Sequence, residues 1–86
     1  MLSNRHKGLI RGLIYPVQFD PDPVDGVDRV LELVVYRRAL DAGPDEYSAA
    51  IAAALQSDEQ LAPLIPQPHS EPVIRAYLTA LQQRLA

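Results

Sequence analysis

Eight prolines divide this 86-residue chain into stretches that no single long helix or strand can cross. Proline fixes φ at about −65° and has no backbone N–H to donate, so regular structure tends to start or stop at it. They stand at Pro16, Pro21, Pro23, Pro44, Pro63, Pro66, Pro68 and Pro72. Between them lie segments whose apolar residues recur at helical spacing, and these segments set the fold class.

The second segment has the clearest boundaries. Asp22 can accept from free N–H groups, Pro23 suits the first helical position, and Asp25 adds negative charge to the first turn. The spacing predicts a helix from Pro23 through Leu40 or Ala42. Gly43 would close it in a left-handed conformation, and Pro44 would prevent continuation. Val27, Val30, Leu31, Val34 and Val35 form one stripe, with Leu40 near its end. Leu33 and Tyr36 widen the stripe beyond the usual arc of about 100°. Such a helix belongs at the centre of a fold or in an interface between copies. The β-branched run in Val30–Tyr36 also permits a strand.

A third helix is expected from about Asp45 to Gln56, with Tyr47, Ala50, Ile51, Ala54 and Leu55 at helical spacing. Ser57-Asp58-Glu59-Gln60 then reads as a capping box that opens a short helix ending near Leu64 or Ile65. Pro66-Gln67-Pro68-His69 is a stiff loop. Ser70 caps a last helix whose apolar face is Val73, Ile74, Tyr77, Leu78, Leu81 and Leu85. At the N-terminus, Leu9, Ile10, Leu13, Ile14 and Val17 fit one helical face. Gly8 and Gly12 each weaken it by about 1 kcal/mol relative to Ala. A helix from about Asn4 to Tyr15 is predicted, with an arm, or a strand pairing with a second copy, as the alternative. Tyr15-Pro16-Val17-Gln18-Phe19 reads as extended. The expected fold is therefore all-α: one domain, a small three- or four-helix bundle with an N-terminal arm or weak first helix. This order resembles the layout of colicin-type nuclease immunity proteins, which are short, acidic four-helix domains with a very short third helix. Where that family's short helix carries paired tyrosines after an acidic residue, this chain has Leu64-Ile65-Pro66. The resemblance is one of layout and carries over no site residue.

Composition narrows the function classes. No cysteine is present, which excludes disulfides, thiolate metal sites and a cysteine nucleophile. The net charge is −3, and no apolar run approaches the roughly 20 residues of a membrane span. Arg11 and Gly12 interrupt what would be the apolar stretch of a signal peptide. A cytoplasmic protein is the expectation. Calcium fails on motif: with Gly26 at the sixth position of an EF-hand loop, Pro21 and Pro23 stand where ligands belong. His6 and His69 have no second metal ligand at helical spacing. The serines lack a nucleophile-elbow context and no phosphate loop is present. No enzyme, cofactor or metal is expected.

Residues 45–65 could form a helix-turn-helix, but its second piece carries Asp58 and Glu59 and no base, which argues against nucleic acid. Only the basic segment Arg5, Lys7 and Arg11 could serve there. The function expected is a protein–protein interaction module: a regulatory subunit, assembly factor or inhibitor that acts by docking and self-associates as a homodimer through Val30–Leu40 or the arm. An immunity- or antitoxin-type inhibitor and a nucleic-acid-associated regulator are the alternatives. The residues expected to meet a partner are Arg5, Lys7, Leu9, Arg11, Leu13, Tyr15, Phe19, Tyr36 and Arg37.

Overall fold

The computed structural model describes residues 2–37 and 41–85. Among them there are helices and turns but no strand, so the chain is a small all-α bundle. Helix α1 spans Asn4–Ile14 and is capped by Ser3, whose Oγ accepts from the His6 N–H at 3.1 Å. Helix α2, Val27–Val30, sits between a 3-10 turn at Pro23–Gly26 and a π turn at Leu31–Val35. Helix α3 spans Pro44–Gln56 and α4 spans Glu71–Leu85.

One apolar core joins all of them. Leu9, Ile10, Leu13 and Ile14 of α1 are buried with Tyr47, Ala50, Ile51 and Ala54 of α3, and with Ile74, Tyr77, Leu78 and Leu81 of α4. Residues on each helix recur at three and four, so each buries a single stripe. The first segment is thus an integral helix and not an arm, because its apolar face is as deeply buried as any in the protein.

The second segment departs from a regular helix. Asp22 caps it as expected, accepting from the Val24 N–H at 3.1 Å, and Pro23 leads it. Beyond Val30 the backbone widens: the Tyr36 N–H donates to the Leu31 carbonyl, five residues back, at 2.9 Å. In an α-helix the residue one turn beyond Val30 is Val34. Here Val35 takes that place in the core with Val30, and Val34 is only half-buried. Of the expected continuation, residues 38–40 lie outside the described residues.

Three boundary expectations are corrected. Gly43 does not close the second helix. It is extended (φ −93°, ψ 177°) and precedes α3, whose first residue is Pro44; the left-handed residue is Asp41 at φ 56°. A residue before proline is pushed out of the helical region, so Pro44 makes Gly43 an entry and not an exit. Ser57 opens no helix. Its Oγ accepts from the Glu59 N–H at 2.9 Å in a local turn, and between Ser57 and α4 the helical piece is a 3-10 turn at Ala62–Leu64. Tyr15–Val17 is likewise a 3-10 turn in place of extended chain, closed by bonds from Gln18 N–H to Tyr15 O and from Asp20 N–H to Val17 O.

Two charged side chains on α4 explain the non-helical path of residues 57–61. The Glu71 carboxylate accepts from the Leu61 and Ala62 N–H groups, each at 2.8 Å, and from Arg75 Nε at 2.8 Å. Arg75 in turn donates to the carbonyls of Leu55, Ser57 and Glu59. Backbone groups that a helix would pair internally are thus taken by charge-assisted bonds from another helix.

Candidate docking surface

Two of the basic residues of α1 pair with the chain's own acids. Arg5 Nε lies 2.6 Å from Glu46 Oε2 on α3, and that hydrogen bond holds the Glu46 carboxyl below its usual value. Lys7 Nζ is 3.6 Å from Glu59 Oε2, while Glu59 Oε1 accepts from the Leu2 N–H at 3.3 Å. Arg11 Nε donates to the Leu64 carbonyl at 3.2 Å. These three therefore join α1 to α3 and to the loop that follows it. Their placement gives no support to a cationic face for nucleic acid.

Leu9 and Leu13 leave the set of surface candidates. They are 1 % and 0 % exposed, because they lie on the α1 face that packs against α3. Tyr36, which widens the apolar stripe and was expected to meet a partner, is 59 % exposed.

The remaining candidates share the outside of the molecule. Tyr15 is 67 % exposed and Phe19 is 88 % exposed, four residues apart on the turn that follows α1. Leu33 is 49 % exposed and stands with Tyr36 on the outward side of the second segment, and Arg37 beside them is exposed too. Arg29 ties the two segments together. It lies four residues before Leu33, and its Nη2 donates to the Pro16 carbonyl at 3.0 Å and to Asp20 Oδ2 at 2.7 Å. It thereby pins the turn that carries Tyr15 and Phe19 against the start of α2. On the other side of that turn, His69 Nε2 lies 3.2 Å from the Val17 carbonyl; the ring nitrogen carries the proton, since a carbonyl only accepts.

Gly26 permits this closeness. A Cβ there would lie 2.7 Å from Asp20 Oδ2 and 2.8 Å from Val17 Cγ1. Arg29 was not expected at the surface site, and Leu33 was expected there only as part of the Val30–Leu40 segment. Their signal was present in the pattern, since both fall opposite the Val27–Val30–Leu31 stripe, but the apolar character of Leu33 masked it.

Among the described residues no group of three His, Asp or Glu side chains is placed to hold a metal ion, and no cavity is found. No helix among them is long and apolar enough to cross a membrane. The chain matches no protein-family model, no curated protein and no solved structure.

Proposed function

We propose that this chain is a protein–protein interaction module that works by docking, with Tyr15, Phe19, Leu33 and Tyr36 as its contact residues. What supports this reading is that four large apolar side chains stand out from two segments which Arg29 holds together. Scattered exposed apolar residues are ordinary, whereas grouped aromatics on a tied surface are the residue type that interfaces favour. Tyrosine and phenylalanine bring large area at low entropic cost.

The magnitude sets the kind of contact. At about 200 Å² per aromatic side chain, the exposed parts of Tyr15, Phe19 and Tyr36 offer roughly 400 Å². A standard-size interface takes about 800 Å² from each partner. Together these side chains offer about half of that area, which suits a reversible contact completed by polar residues. Regulation, assembly and inhibition by docking all use contacts of this kind.

The test is a photo-crosslinking side chain placed at Phe19, at Tyr36 and, as a control, at exposed Gln83 on α4. In the native host, discrete adducts from Phe19 or Tyr36 and none from Gln83 are expected. Equal yields at all three positions, or none at Phe19 and Tyr36, would overturn the reading.

A further inference from the structure

We propose that Glu32, Leu33, Tyr36 and Arg37 form the contact by which two copies of this chain associate, antiparallel and about a two-fold axis. The inference rests on the docking reading above and names the occupant of one part of that surface.

All four side chains are exposed on the outward side of the second segment. The π turn draws the two charged ends of this quartet together. In a regular α-helix, residues five apart diverge by about 140° around the axis. Here the chain closes with a bond from Tyr36 N–H to Leu31 O, five residues back, so Glu32 and Arg37 are brought toward the same side.

Charge then selects the partner. Between Asp28 and Arg37, two of the charges are already matched within the chain: Asp28 pairs with Arg84, and Arg29 with Asp20. Glu32 and Arg37 form no ion pair with any described residue. Among the described residues an unmatched acid thus precedes an unmatched base along this exposed stretch, with Leu33 and Tyr36 between them. A second copy laid antiparallel presents the complementary order. A two-fold axis through the middle of the quartet sets Glu32 against Arg37 of the other copy, and Leu33 against its Tyr36. Each contact occurs twice, as an isologous interface requires. Like charges facing each other would oppose a parallel arrangement.

The quartet is small, so the association is a monomer–dimer equilibrium seen at high concentration. Sedimentation equilibrium should show the mass of the wild-type chain rising toward that of a dimer by about 1 mM. Glu32→Arg alone, or Arg37→Glu alone, sets like charges together twice per dimer and should weaken association at least tenfold. An equimolar mixture of the two variants restores opposite charges at both contacts and should form dimers again, as should the double variant. Both positions are exposed, and circular dichroism checks that each variant is folded. A wild-type chain that stays monomeric, single variants that pair as well as wild type, or a mixture that stays monomeric would each overturn the proposal. The crosslinking experiment separates the two readings. Adducts to another protein from Phe19 or Tyr36 without a dimer would sink self-association alone, whereas no adduct and no dimer would sink both.

Discussion

The hydroxyl of Tyr77 donates to the carbonyl oxygen of Leu13, 64 residues away in sequence and 2.5 Å away in space. The bond joins the middle of α4 to the end of α1 inside the core, where both residues are fully buried. Burial raises the Tyr77 hydroxyl pKa well above its ordinary value, because the phenolate would have to form away from water. Tyr77→Phe keeps the ring and removes the bond, and should cost about 1 kcal/mol. The pH dependence follows from the raised value. The stabilisation is fully present below about pH 10, where the unfolded tyrosine titrates, and is lost as pH rises through the folded value. Over that window the wild type should lose stability by up to about 1.4 kcal/mol more per pH unit than Tyr77→Phe. Urea midpoints for both chains across the alkaline range measure the difference.

Arg75 and Glu71 should behave as a clamp on the segment after α3. Arg75→Ala removes a guanidinium that binds three carbonyls and one carboxylate, and should destabilise by about 2–3 kcal/mol. Arg75→Lys should recover little, because an ammonium cannot reproduce the planar fork. In Glu71→Gln, hydrogen exchange should quicken at the Leu61 and Ala62 amides, which the carboxylate now holds.

The two glycines should respond to alanine with opposite signs. At Gly8, within α1, an added Cβ meets nothing within 4 Å, so Gly8→Ala should stabilise by about 0.5–1 kcal/mol through helix propensity. At Gly26 the same methyl collides with Asp20 Oδ2 and Val17 Cγ1 and crowds Arg29 at 3.3 Å. Gly26→Ala should cost about 1–3 kcal/mol. It should also loosen the turn bearing Phe19, read as faster exchange at the Asp20 amide.

The π turn predicts an unequal core sensitivity at Val34 and Val35, where a regular α-helix would place both on one buried stripe. Val35→Ala, at a fully buried position, should cost about 2 kcal/mol. Val34→Ala, at a half-buried one, should cost under about 1 kcal/mol. Thermal unfolding of the two variants decides between the registers.

The helical class, the starts of the second and last helices, and most of the buried faces of α1, α3 and α4 were legible in the sequence, although Val73, read on the α4 face, is 37 % exposed. Each rests on local physics: Asp22 beside its own helix start, Pro23 at a first turn, apolar residues every three or four positions. Tertiary structure decided the rest, because there the competitors are far apart in the chain. The capping box at Ser57 is sound in isolation, yet Glu71 and Arg75 bind the backbone it would have wound up. Arg5 and Lys7 look like a free basic arm until Glu46 and Glu59 are brought beside them. Leu9 and Leu13, read as contact residues, went into the core because α3 lies across their face. Leu33 and Tyr36, read as part of one apolar stripe, stayed outside because a small bundle covers only one side of its second helix. Periodicity tells which residues share a face. Whether anything covers that face is set by elements elsewhere in the chain, and in a second copy if the pairing of Glu32 with Arg37 holds.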